Sequence, residues 1–275
     1  MADDGENAGT GQPAPGQGYV QSLARGLAVI RSFDDEHPEM TLSEVARRTG
    51  LARAAARRFL LTLIELGYIQ SDGRLFRLRP RVLELGYAYL SSVPLPRLAE
   101  PHLEKLVDQV HRSASLAILD GTDIVYVART AHARIMAVSI TVGTRFPAYC
   151  TSMGRVLLAA LSPEQLDGYF AKVELAARTP KTVTDENALR TALDQVRSSG
   201  VALVNQEFET GLRSMAVPVH DRTGATVAAM NISLPTVLGS LAAAKREILP
   251  PLREAARQLG EDLKRVPALP PLSTG

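Results

Sequence analysis

Cysteine occurs once, at Cys150, in a chain of 275 residues. That excludes an intrachain disulfide and a zinc site built on four thiolates. Tryptophan is absent, aromatic residues make up only 5% of the chain, and no apolar run is long enough to span a membrane. The opening residues, MADDGENAG, are acidic and Gly-rich, not basic and then apolar. No secretory signal is expected, and the protein is expected to be cytoplasmic with no membrane partner. The histidines at 37, 102, 111, 132 and 220 lack metal-site spacing, so neither a metal nor a cofactor is expected. A strong net charge is missing too, the balance being +2.

The charge that is present is unevenly placed. Residues 41–81 hold nine arginines against Glu44, Glu65 and Asp72, a local excess of six positive charges, so the remainder is net acidic. A basic block in a nearly neutral protein points to a polyanion partner. The length allows one large or two modest domains.

The basic block opens with TLSEVARRTGLARAAARRFLLTLIELG, Thr41 to Gly67. Thr41 with Glu44 three residues on predicts a capping box. Gly50 predicts a break, after which Ala56, Phe59, Leu60, Leu63 and Ile64 fall on one helical face and Arg53, Arg57 and Arg58 on another. This is the helix-turn-helix layout. Tyr68-Ile69-Gln70 and Leu75-Phe76-Arg77-Leu78 flank Ser71-Asp72-Gly73-Arg74, a hairpin turn whose Asp-Gly tolerates positive φ. Ahead of the block, Leu23, Leu27, Ile30 and Phe33 predict a helix capped by Ser22, followed by a loop over 34–39. Three helices and a basic wing make a winged helix-turn-helix, with double-stranded DNA as partner.

Pro80 ends the wing and a connecting helix is expected to Ser91-Ser92. Pro94, Pro96 and Pro101 mark a boundary, and Leu98, Leu103, Leu106 and Val110 predict a further helix beyond them. From Ser113 the period becomes two. Strands are expected at 114–119, 124–128 and 135–142, helices at 153–161, 163–170 and 186–199, strands at 201–205, 214–220 and 225–233, and a closing helix from about Val237 to Leu263. The fold class is α+β with one antiparallel sheet.

Several long segments in order are similar to the IclR family of transcriptional regulators: SLARGLAVIRSF, TLSEVARRTGL, RRFLLTLIELGYI, RFPAYCTSMGRVLLAAL, GVALVNQEFETGLRSMAVPV and AAMNISLP. The wording SLARGLAVI, ARAAARRFLLTL and PAYCTSMGRVLL most resembles the branch that controls aromatic-acid catabolism through the β-ketoadipate pathway. The resemblance implies a winged helix-turn-helix over 19–80, a linker helix over 81–93 and a GAF-like effector-binding domain over 94–263. A disordered tail is expected at 1–18 and a loose one at 264–275. It also implies a homodimer or dimer of dimers on a palindromic operator, and a small carboxylate effector, aromatic or aliphatic.

For DNA the candidate residues are Thr41, Arg53, Ala54, Ala55, Arg57, Arg58, Arg74 and Arg77. Ala54 and Ala55 stand where the family often carries Ser or Thr, which shifts base reading toward arginine. Arg53 and Arg57 share a helix face. One of them is expected to read a base while the other, with Arg58, holds phosphate, and Arg74 and Arg77 reach backbone or minor groove from the wing. For the effector, Thr151, Ser152, Met153 and Gly154 form a helix start suited to an anion. The resemblance adds Ser214, Asn231 and Ser233 to Ser152 and Met153. Arg134 either pairs with the ligand carboxylate or makes a surface salt bridge, and the roles of Val204, Asn205, Gln206 and Glu207 stay open because they depart from the family pattern. Two other readings stand beside this one: an enzyme using Cys150 as nucleophile, which lacks a suitably spaced base, and an effector-blind architectural DNA binder.

Overall fold

A computed structural model describes residues 18–132, 140–237 and 240–266. The expected strand at 135–142 and the tails at 1–18 and 264–275 fall largely outside them. The chain divides into two compact units, one up to Tyr89 and one from Leu90 onward.

The first unit is built on α1 (Gln21–Arg31), β1 (Glu39–Thr41), α2 (Leu42–Thr49), α3 (Arg53–Glu65), β2 (Ile69–Ser71) and β3 (Leu75–Leu78). The Thr41–Glu44 capping box forms: the Thr41 amide donates to Glu44 Oε2 at 2.7 Å and the Glu44 amide to Thr41 Oγ1 at 3.4 Å. The Thr41 amide and then the Thr41 hydroxyl, both donating to it, hold the Glu44 carboxyl below its usual pKa. Gly50 ends α2 at φ +66°, and the Leu51 amide closes the turn onto the Ala46 carbonyl at 3.0 Å. Val29, Phe33, Met40, Val45, Leu60, Leu63 and Ile69 form the core.

Three expectations need correction here. Helix α1 begins at Gln21 behind Val20 with no side-chain cap, not behind Ser22. Its inner face is Val29 and Ile30 with Phe33 just beyond, whereas Leu23 and Leu27 are exposed, because Gly26 turns toward Phe59 and sets the rotation of the helix. The loop before α2 contains β1, which pairs with β3, so the wing has three strands in the order β1-β3-β2.

A 3₁₀ turn (Pro80–Val82) leads into α4 (Leu83–Ser92). The second unit then runs α5 (Leu95–Val110), β4 (Ala114–Asp120), β5 (Asp123–Thr130), β6 (Arg145–Pro147), α6 (Ser152–Ala159), α7 (Pro163–Phe170), α8 (Glu186–Ser199), β7 (Ala202–Asn205), β8 (Leu212–His220), β9 (Thr226–Pro235) and α9 (Leu241–Leu263). Six strands form one antiparallel sheet in the order β6-β5-β4-β9-β8-β7. Its faces separate by alternation. Leu116, Met215, Val217, Met230 and Ile232 pack with α5 and α9, while Ala117, Ala216 and Ala229 pack with α6, α7 and α8. Between Leu116 and Ala117 the β4–β5 register shifts: Leu116 pairs with Ala128 and Ala117 with Tyr126, leaving Val127 as an extra residue in β5.

Pro101 behaves differently from expectation, since helix α5 starts at Leu95 and carries it inside, whereas α9 runs through Pro250 and Pro251 as expected but starts at Leu241, capped by Ser240. An interior proline costs about 3 kcal/mol. The buried stripe of Ile248, Leu249, Leu252, Leu259 and Leu263 runs past both of α9's prolines. At about 1.5–3 kcal/mol per large buried side chain, that packing outweighs them.

Helix α6 is buried along all eight residues, and Gly154 makes that possible. A Cβ at Gly154 would lie 2.1 Å from the Ala148 carbonyl oxygen. Gly154→Ala is therefore expected to destabilise the chain by about 3 kcal/mol or more, read as a lowered urea midpoint. An unchanged midpoint would contradict this packing.

Candidate functional site

Two sets of side chains carry candidate chemistry, one in each unit. In the first, α3 begins with Arg53, and Arg53, Ala54, Arg57 and Arg58 are exposed while Ala55 is half-buried. Ala56, Leu60 and Leu63 face the core, so the arginines are held outward by burial of the opposite face. Among the described residues Arg53, Arg57 and Arg58 form no salt bridge. Arg77 differs, since its guanidinium lies 2.9 Å from Glu39 across the β1–β3 pair. The turn carrying Arg74 is fixed by Asp72, whose carboxylate accepts from the Arg74 and Leu75 amides at 2.9 and 2.8 Å and is held below its usual pKa chiefly by the Leu75 amide. Gly73 supplies φ +98°. Thr41's hydroxyl is engaged with Glu44 at 2.8 Å and serves the α2 cap.

In the second unit the polar side chains gather on the sheet face under α6. Ser115 of β4 is directly opposite Asn231 of β9, Asn231 is opposite Ala216 of β8, and Ser214 is opposite Ser233. Ser214, Asn231 and Ser233 thus share one face, as the sequence reading required. Helix α6 packs across β4, β8 and β9. Thr151 caps it, its Oγ1 accepting from the Gly154 amide at 3.1 Å. Ser152 and Met153 follow in the first turn, where amides lack intrahelical acceptors.

Ser152 and Asn231 are 1% and 4% exposed, yet among the described residues Ser152 Oγ and Asn231 Oδ1 find no hydrogen-bond partner. The Asn231 amide makes one bond, from Nδ2 to Ser233 Oγ at 3.4 Å. Turning the amide over would leave its other end free instead. The only further atom of this kind among the described residues is the Tyr169 hydroxyl of α7. Each unsatisfied buried group costs about 1–3 kcal/mol, so a polar face of this kind is made to receive polar atoms from elsewhere.

Two members of the expected set do other work. Gly154 is pressed against the Ala148 backbone, and Thr151 is committed to its cap and to the Ala148 carbonyl at 3.3 Å. Arg134 lies outside the described residues. The sequence reading missed Arg129 and Ser115. Arg129 is half-buried on β5, directly opposite Ser115, and donates from Nη1 to Ser115 Oγ at 3.1 Å. The clue was a polar pair at the start of one strand and the end of the next, whose register a single sequence does not give.

Beside this face, Glu207 pairs with Arg155 at 2.5 Å with both side chains nearly buried, and Arg155 Nε donates to the Tyr149 carbonyl at 3.1 Å. Thr182 and Thr179 donate to the Glu207 and Gln206 carbonyls, both at 2.6 Å. The 205–211 loop is thereby tied to the segment before α8, and Phe208 packs between Phe146 and the Arg178 guanidinium. A cavity of about 570 Å³, lined in part by His220, Arg222, Arg253 and Arg257, opens between the β8–β9 turn and α9 and shares no residue with this cluster.

Cys150 is fully buried, and its thiol lies 3.7 Å from the Pro147 carbonyl. Burial pushes the thiol up to about 11, with the Glu207 carboxylate adding to the rise. No histidine acts on it. That is the reverse of an activated nucleophile.

Comparison with known proteins bears on both sites. Residues 22–73 match the IclR helix-turn-helix domain, and residues 87–261 match the bacterial transcriptional regulator IclR C-terminal family. The Pca regulon regulatory protein of Pseudomonas putida is 46% identical over 246 residues, covering 89% of this chain and 84% of that protein. The p-hydroxybenzoate hydroxylase transcriptional activator of Acinetobacter baylyi is 38% identical over 246 residues, covering 88% and 91%. A crystal structure of an IclR homolog from Microbacterium hydrocarbonoxydans complexed with 4-hydroxybenzoate superposes with a TM-score of 0.77 at 27% identity, covering 89% of this chain and 100% of that one. Among the described residues no helix is long and apolar enough to cross a membrane.

At pH 8 a thiol titrating near 11 is ionised to about one part in a thousand. Iodoacetamide is expected to modify Cys150 at least about a hundredfold more slowly in folded protein than in urea, followed by intact mass. Equal rates would show an open, activated thiol.

Proposed function

We propose, from the premise that this chain belongs to the IclR family of bacterial transcriptional regulators, that it switches genes of aromatic-acid catabolism when a small aromatic carboxylate enters the face beneath α6. It is a ligand-responsive DNA-binding regulator. The observation that carries the choice of site is the pair of buried, unpartnered polar atoms on Ser152 and Asn231. Ser214, Ser233 and the first-turn amides at Ser152 and Met153 complete its polar lining. The aromatic class rests on the relatives, one of which activates p-hydroxybenzoate hydroxylase expression and another of which holds 4-hydroxybenzoate.

At the DNA, Arg53 and Arg57 read the major groove from the start of α3 and Arg58 holds phosphate, because all three are exposed and, among the described residues, free of carboxylate partners. Arg74 adds a backbone contact from the wing. Arg77 contributes less, since DNA must compete with Glu39 for it. The chain acts as a dimer, or a dimer of dimers, on a palindromic operator. Exposed Leu83, Leu85, Tyr87 and Tyr89 of α4, with Leu23 and Leu27 of α1, supply apolar surface for association, and residues 81–93 serve as the linker. The effector shifts DNA binding only by its different affinity for two arrangements. Inverting a 1:99 population takes about 5.5 kcal/mol of such difference.

In a thermal-shift series with aromatic acids, at least one is expected to raise the melting temperature and to alter the footprint on the chain's own upstream DNA. A footprint untouched by every stabilising acid would remove the switch. Arg53→Ala and Arg57→Ala are each expected to weaken operator binding by about 1–3 kcal/mol, roughly fivefold to 150-fold, while leaving effector affinity in place. Parallel loss of both affinities would undo that separation of roles.

A further inference from the structure

One cation borders the polar face under α6 with no acid among the described residues to neutralise it. Arg129 is opposite Ser115, and Ser115 is opposite Asn231, so three neighbouring strands, β5, β4 and β9, present Arg129, Ser115 and Asn231 in one rung. Strictly alternating, β5 would put Arg129 on the other face, since Tyr126 already belongs to this one. The extra residue at Val127 reverses the parity and delivers the guanidinium beneath α6.

The other arginines nearby are spoken for. Arg155 is paired with Glu207, and Arg178 lies over the Phe208 ring at 4.7 Å. Arg213, bonded to Asn205, alternates with Ser214 and so belongs to the opposite face. Arg129 has five N–H donors, and Ser115 accepts from one nitrogen. Among the described residues no carboxylate pairs with it, and the stretch 133–139 contains no Asp or Glu.

Resting on the reading above, we infer that Arg129 is the residue that fixes the effector's carboxylate, with Ser115 holding its guanidinium in position. Asn231, two strands away, then receives a hydroxyl at the far end of the ligand. A hydroxyl both donates and accepts, so it satisfies the free end of the Asn231 amide in either orientation. Two strand spacings come to about 10 Å, enough for a single ring held between side chains that reach inward from both ends. The ligand class is a hydroxylated aromatic monoacid. Burial lowers the Arg129 pKa, with only Tyr126 opposing, which agrees with a desolvated cation that has no resident counter-ion.

The experiment is calorimetric titration of the full-length chain with 4-hydroxybenzoate, its neutral amide 4-hydroxybenzamide, and benzoate. Charge-assisted hydrogen bonds of this kind correspond to about a tenfold to hundredfold change in affinity. Wild type is expected to favour the acid over the amide by at least about tenfold. Arg129→Gln should lose that factor for the acid while binding the amide within about threefold of wild type, a pattern that general damage to the fold would not give. Arg129→Lys should recover part of the loss. Asn231→Leu should erase the preference for 4-hydroxybenzoate over benzoate and keep the preference for acid over amide. Should Arg129→Gln not fold, the wild-type acid-to-amide ratio and Arg129→Lys still decide. Unchanged acid binding in Arg129→Gln, or a wild type indifferent to acid and amide, would overturn the assignment while leaving the aromatic-ligand reading intact. A wild type that binds none of the three compounds would overturn both.

Discussion

The second unit is governed by the burial of its sheet on both faces. Helices α5 and α9 seal one side with aliphatic side chains, and α6, α7 and α8 seal the other. Water is therefore remote from every central strand, and each polar atom on those strands needs a partner or a purpose. Most of the sheet obeys with Ala, Val, Met and Ile. On the face under α6 the departure is Ser115, Asn231, Ser214 and Ser233, which interrupt the apolar lining. Because burial is otherwise so complete, that interruption marks the candidate site without reference to its shape.

The first unit solves a different problem, which is to keep positive charge outward on a small core. Helix α3 does so by placing Ala56, Leu60 and Leu63 inward and its arginines outward. The cap of α2 and the glycine turn set the approach of the two helices through the Thr41 and Glu44 side chains and backbone hydrogen bonds. Neither device spends an arginine, so Arg53, Arg57 and Arg58 stay available. Among the described residues the carboxylates that do touch arginine here, Asp34 on Arg48, Glu39 on Arg77 and Glu84 on Arg81, engage none of the arginines of α3.

What was legible in the sequence was local. The Thr41–Glu44 cap, the Asp-Gly turn and the bounds of α7 and α8 follow from contacts within a few residues of one another, and all of them formed. Errors came where distant packing decides. The inner face of α1 is set by Gly26 against Phe59 on another helix, β1 exists only because β3 is there to pair with it, and α5 carries Pro101 because its buried stripe continues past it. The same rule divides the candidate site. Ser214, Asn231 and Ser233 were named as candidates through likeness to a family, while the candidacy of Arg129 and Ser115 depends on cross-strand register, which no motif records.

That register has a bearing on how such a binding face changes over time. Deleting the supernumerary Val127 would leave Tyr126, Ala128 and Arg129 in regular alternation, with Ala128 still opposite Leu116 and Arg129 still opposite Ser115. The place of Arg129 on this face would thus outlast a single-codon deletion at the bulge, which removes the kink in β5 and not the charge beneath α6.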